Sequence, residues 1–195
     1  MKNLYGKEAE DFIANSPEMK NVSNYDKSEW IKSTQNVRKF NFSGRELTGG
    51  QRVFELSKEI FKKLLKINAQ FISGTDSGGG YPFMIPGFSL HEELRIFAEL
   101  GMSPYEILRT TTVHAAEAMR KSHESGTVEV GKRADLLLIS QNPLENIANL
   151  RGKKGVMVRG IWISDFLLKW NYTNRFGYLL LGLNRTKAAI DILKN

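Results

Sequence analysis

Apolar positions change their period twice along the chain. Val53, Leu56, Ile60, Leu64 and Ile67 recur at spacings of three and four, with Arg52, Glu55, Lys58, Glu59, Lys62, Lys63 and Lys66 between them. That pattern predicts an amphipathic helix with one packed face. Thr48 and Gln51 have the spacing of a capping box, in which each side chain satisfies a bare backbone N–H, so the helix is expected to open there. Phe71 and Ile72 follow as a short apolar run suited to a buried strand; Gly74 and Thr75 end it. Asp76 is left at the tip with Gly78, Gly79 and Gly80 behind it.

Tyr81 to Phe88 contains Pro82 and Pro86, which predicts a long irregular loop. Ser89 and Glu92 repeat the capping-box spacing, and Leu90, Leu94, Phe97 and Leu100 form an apolar stripe that stops at Gly101. Ser103-Pro104 with Glu106 starts another helix, with Leu108, Thr111, Ala115 and Met119 as its inner face. From Gly126 the pattern becomes strand-like over Thr127 to Val130, Leu136 to Ser140 and Val156 to Ile163. The unbroken apolar run Leu136 to Ile139 predicts burial on both faces or against a partner sheet. Residues 166–195 read as a helical tail that docks. Residues 1–50 are polar with isolated apolar anchors such as Phe12 and Trp30, and short helices and loops are expected there.

Composition narrows the function classes. The 195 residues suffice for one sizeable domain, and 41% hydrophobic content supports a packed core. The net charge of +7, from 28 basic and 21 acidic residues, is scattered, and no nucleic-acid motif accompanies it, so no nucleic-acid partner is expected. The absence of cysteine excludes disulfides, thiolate zinc sites and a cysteine nucleophile. With neither a secretory apolar core nor a membrane-length apolar run, the expectation is a soluble, cytoplasmic chain without a membrane partner.

Among chemical candidates, Asp76 stands first. In α/β proteins the strand ends are left open by the covering helices, and ligands bind there. The alternative is a turn aspartate bonding its own backbone. His91, near Glu92 and Glu93, is a candidate for the same cleft; His114 is expected to pack between helices and His123 to sit in a loop. No two of these histidines have the spacing that places a pair on one metal. The glycine triplet lacks the lysine of a phosphate-binding P-loop, and no GxSxG serine motif occurs.

In order, SGTDSGG, PGFSLHEELRIFAELGMSPYEILRTTTVHAAEAM and SGTVEVGKRADLLLISQNPLENI resemble the C-terminal part of metal-dependent amidohydrolases of the imidazolonepropionase-like group, over residues 45 to 165. The most specific feature is the ordered pair GTDSGG and GTVEVGKRADLLLI about fifty residues apart. The resemblance implies an α/β fold: the last units of a TIM-like (β/α)₈ barrel within residues 1–125, with the eighth strand near 71–76, and part of a small β-sandwich in 126–165. GVMVRGIWIS, Gly155 to Ser164, is similar to the closing sandwich strand. It also implies that Asp76 binds a divalent metal, zinc being expected, or takes a proton from the attacking water, and that the substrate is a small-molecule amide, imidazolone-like or dipeptide-like.

The family's HxH pair and its middle-strand histidines or modified lysine have no match here. A full barrel takes about 200 to 250 residues, and only 75 precede Asp76. The expectation is therefore a C-terminal portion, inactive alone, whose partner is a missing N-terminal half or a second copy. The alternative is a non-catalytic or split-gene subunit that completes a barrel with another polypeptide.

Overall fold

The computed structural model describes residues 7–16, 19–20, 22–40, 45–77 and 83–167. Gly78, Gly79, Gly80, Tyr81, Pro82 and the expected helical tail beyond Leu167 lie outside the described residues. Among the described residues six helices precede a three-stranded sheet: α1 Lys7–Asn15, α2 Asn24–Phe40, α3 Arg45–Lys66, α4 Phe88–Glu99, α5 Pro104–Thr111, α6 Val113–Ala118, then β1 Leu136–Ile139, a 3₁₀ turn Ile147–Arg151, β2 Lys153–Val158 and β3 Ile161–Ser164. The chain is thus mixed helix and sheet. No helix among the described residues is long and apolar enough to cross a membrane.

The N-terminal region is more regular than its polar composition suggested, since α2 runs for 17 residues. Phe12 of α1 and Trp30 of α2 both meet the ring of Phe83, at centroid distances of 5.9 and 5.6 Å. These aromatic anchors give the two polar helices a place to dock.

Helix α3 departs from its expected start and its expected inner face. It is already helical from Arg45, so Thr48 lies inside the helix rather than at its start. Phe61 and Leu65 pack against the core, whereas Val53, Leu56, Ile60, Leu64 and Ile67 are exposed. At 100° per residue, Phe61 and Leu65 lie roughly 100° and 140° around the axis from the centre of that stripe. The apolar surface of α3 is therefore wide enough for two neighbours, and the described core covers one edge of it.

The core is built by α4 and α5 around Leu94, Met102, Ile107 and Ile147, with Phe61, Phe71, Leu90, Phe97 and Leu150 packed against it. Phe61 stacks on Phe97 at 5.0 Å and tilts over Phe71 at 4.6 Å. The expected α4 stripe is realised in Leu90, Leu94 and Phe97, but its capping box is not. Gly87 occupies the cap position, and Ser89 Oγ accepts from the Ile85 amide at 2.8 Å instead. The end of α4 is a Schellman closure: Met102 N–H donates to Phe97 O, Gly101 N–H donates to Ala98 O, and Gly101 has φ +99°.

Ser103 caps α5 by accepting from the Glu106 amide at 3.2 Å, with Pro104 behind it. The single helix expected from Pro104 to Met119 breaks at Thr112, whose φ of −124° and ψ of −86° are non-helical. The break gives α6 a direction of its own. Ile107, Thr110, His114 and Ala116 are buried, while Met119 is exposed.

The sheet is antiparallel in the order β1-β2-β3. Residues 156–163 form two strands, since Val158 pairs with Ile161 across a two-residue turn at Arg159 and Gly160. Both turn residues have positive φ, 51° and 81°, the geometry that matches the twist of a hairpin. Asp135 Oδ1 accepts from the Arg159 amide at 2.7 Å, and Ala134 O accepts from Gly160 N–H at 3.0 Å, so the turn is pinned to the entry of β1. Thr127–Val130 is not a strand, and both Val128 and Val130 are exposed. Leu136, Leu137 and Leu138, expected to be buried, are also exposed. Consecutive strand residues point to opposite faces, so the described elements leave both faces of β1 partly open.

Candidate active site

Phe71–Asp76 is neither helix nor strand, and it joins no ladder among the described residues. Helices hold it instead. His114 of α6 contacts the Phe71 carbonyl through Nδ1 at 3.0 Å. A carbonyl can only accept, so Nδ1 carries the proton. In the middle of the segment, the Ser73 amide donates to Thr110 O at 3.3 Å, and Ser73 Oγ meets Thr110 Oγ1. Thr110 Oγ1 already donates its proton to Ile107 O at 2.7 Å, which makes Ser73 the donor of that second bond. Nearer the tip, the Gly74 amide donates to Glu93 Oε1 of α4 at 3.4 Å.

Asp76 comes next with φ +52°, in the left-handed region. Aspartate tolerates that region better than most residues. The adjacent turn is bonded by Thr75: its Oγ1 accepts from the Ser77 amide at 3.3 Å and donates to Ser77 Oγ at 2.9 Å. The local backbone bond is thus made by Thr75, and the exposed Asp76 carboxylate has no hydrogen bond or ion pair among the described residues. It is free to meet a ligand.

Glu93 was not singled out by the sequence, where it reads as one more acidic residue beside His91 and Glu92. In the structure its Oε2 is buried without a partner among the described residues, and burial pushes its carboxyl above the usual range against the opposing pull of the Gly74 amide. His114 Nε2 is likewise buried and unpartnered among the described residues. Each such atom costs about 1–3 kcal/mol. The sequence signal available for both was their distance from Asp76 by one helix or two, which does not specify a contact.

His91 does not join this cluster. It lines a groove of about 320 Å³ between α4 and the 3₁₀ turn, with Arg95, Glu99, Asn146 and Arg151. Two residues along a helix turn the side chain by roughly 200°, so His91 and Glu93 leave α4 on opposite sides. Burial, then Arg151 and Lys153, lower the His91 pKa. His114 is buried against Phe71, as a packing histidine should be, and His123 lies in a turn.

The family implied by the sequence uses a divalent metal. Among the described residues no group of three or more His, Cys, Asp or Glu could hold one. Asp76 offers a single ligand where a catalytic zinc normally takes three from the protein, so these residues do not by themselves fit a metal centre.

Comparison with known proteins defines the class: the amidohydrolase family profile matches residues 14–163, and the chain belongs to that family. It is similar to the imidazolonepropionase of a Geobacillus strain, 50% identical over 40 residues, 20% of this chain and 9% of that protein. It is also similar to the imidazolonepropionase of Thermoanaerobacter pseudethanolicus, 34% identical over 91 residues, 44% of this chain and 20% of that protein. The matched segments thus span a tenth to a fifth of these relatives. Among solved structures, molinate hydrolase superposes with a TM-score of 0.50 and 28% identity over 55% of this chain and 26% of that one.

Proposed function

We propose that the chain carries the C-terminal part of an amidohydrolase that cleaves carbon–nitrogen bonds of small amides with metal-activated water, Asp76 serving as metal ligand or proton acceptor. The observation that carries this reading is the exposed carboxylate of Asp76, without a bond among the described residues, at the tip of a segment held along its length by α4, α5 and α6. A carboxylate in such a place can act because it is not already committed to a turn. The substrate class proposed is imidazolone-like or dipeptide-like. The metal proposed is zinc, and its other ligands must come from polypeptide outside these 195 residues.

In that reading Phe71–Asp76 is the eighth strand of a TIM-like barrel, residues 1–125 carry the last barrel units and 126–165 part of a β-sandwich. The chain alone is inactive. Zinc content and amide hydrolysis of the purified chain test this: stoichiometric metal with turnover and no other polypeptide present would overturn it.

A second reading, a subunit that completes a barrel with another polypeptide, is favoured by the exposed apolar surfaces. Val53, Leu56 and Ile60 on α3, Ile67 just after it, Ile72 on the segment before Asp76 and Val128 and Val130 before β1 are all exposed. Burying a Val, Leu or Ile side chain is worth about 1.5–3 kcal/mol, so these positions supply ample contact energy. Asp76→Asn in the complex co-expressed with an HxH-bearing amidohydrolase polypeptide distinguishes the two. A complex that keeps its metal and turnover without the Asp76 carboxylate supports a non-catalytic subunit, and loss of both contradicts it.

A further inference from the structure

Glu93 and His114 touch the same short segment from two helices, each with one polar atom bonded to its backbone and the other buried without a partner among the described residues. Shape alone does not account for them. An apolar side chain would fill either place without leaving a polar atom unpaired, so what the two residues contribute is the bond to the segment.

The bonds along the backbone support that division of labour. His114 holds Phe71 O, Thr110 holds Ser73 N, and Glu93 holds Gly74 N. The last of these lies two residues before Asp76, where the backbone turns left-handed.

The structure assigns to Glu93 and His114 the role of positioning residues for Asp76: His114, as the Nδ1–H tautomer, fixes the base of the segment, and Glu93 fixes the backbone just before its tip. This rests on the proposed role of Asp76 for its catalytic meaning, but the grip itself is independent of it.

The test uses the full 195-residue chain, isotopically labelled, and requires neither metal nor turnover. In the unmodified chain the imidazole nitrogens of His114 are expected to show the Nδ1–H tautomer; an Nε2–H tautomer would overturn the assignment. Glu93→Gln keeps an acceptor for Gly74 and should preserve the slow exchange of its amide, whereas Glu93→Leu should speed it about tenfold. His114→Asn keeps a donor near Nδ1 and should preserve the left-handed Asp76 carbon shifts, whereas His114→Leu should move them towards extended values.

Equal behaviour of the two variants at either position would contradict a positioning role. If a leucine variant does not fold, the tautomer and the glutamine and asparagine variants still decide. Loss of the catalytic role of Asp76, tested separately by Asp76→Asn in the completed enzyme, would leave these exchange and shift patterns unchanged.

Discussion

The ring of Phe61 on α3 lies over the ring of Phe71 with centroids 4.6 Å apart, and through that contact the helix sets the base of the segment that ends at Asp76. Phe61 also stacks on Phe97 of α4. One side chain therefore joins three parts of the core.

Phe61→Ala should cost about 2–4 kcal/mol, near the lower part of the range for large-to-small aromatic changes because Phe61 is only partly buried. Leu56→Ser, on the exposed stripe five residues earlier, should stay within about 0.5 kcal/mol. Urea denaturation of both variants checks the contrast. Equal losses would mean that the exposed stripe is the packed face after all.

Asp135 links stability to acid. The Arg159 amide bond, aided by Arg133, holds its carboxyl below the usual range, although burial opposes the shift. A depressed pKa gives stability that is present above the unfolded value and lost as pH falls through the folded one. The thermal midpoint should therefore decline below about pH 4, and Asp135→Asn should flatten that part of the curve.

Glu93 should show the opposite sign. Burial raises its pKa, so its contribution is complete below the unfolded value of about 4.3 and fades as pH rises through the folded value. Replacing it with glutamine removes the cost of burying the charge. Above that window Glu93→Gln should match or exceed the parent in thermal stability, while below it the two should converge.

Gly155 faces the indole of Trp162 on the neighbouring strand so closely that an added Cβ would overlap Cζ2 of the ring and lie 3.0 Å from the Ile163 carbonyl oxygen. Gly155→Ala should destabilise the sheet by about 1–3 kcal/mol as an overpacked site. The double variant with Trp162→Leu should recover part of that loss. An additive double-mutant cycle would show that the close approach does not limit the side chain.

The parts legible in the sequence were those governed by local chemistry. Ser103 before Pro104 marked the start of α5, Gly101 marked the end of α4, and Leu90, Leu94 and Phe97 named the buried side of that helix. Residues whose surroundings come from distant chain were harder to place. The stripe of α3 was periodic, yet the rings of Phe71 and Phe97 selected its edge at Phe61. Reading Val156 to Ile163 as one strand passed over Arg159 and Gly160, which interrupt the apolar run and turn the chain back.

At the site, Asp76 was visible because an acid ends an apolar run before glycines. Glu93 was hidden in an acidic helix start, and its importance depends on the meeting of Gly74 and α4 across a loop. His91, the more conspicuous neighbour, points to the 3₁₀ turn instead.

The central claim, that Asp76 is one member of a metal site completed by other polypeptide, is tested most directly by measuring zinc and amide hydrolysis together. The purified chain should contain well under one zinc per molecule and show no turnover, and both should appear on addition of an HxH-bearing complementary polypeptide and disappear again with Asp76→Asn. One zinc per chain with turnover in the absence of any other polypeptide, or full activity of the completed Asp76→Asn enzyme, would contradict it.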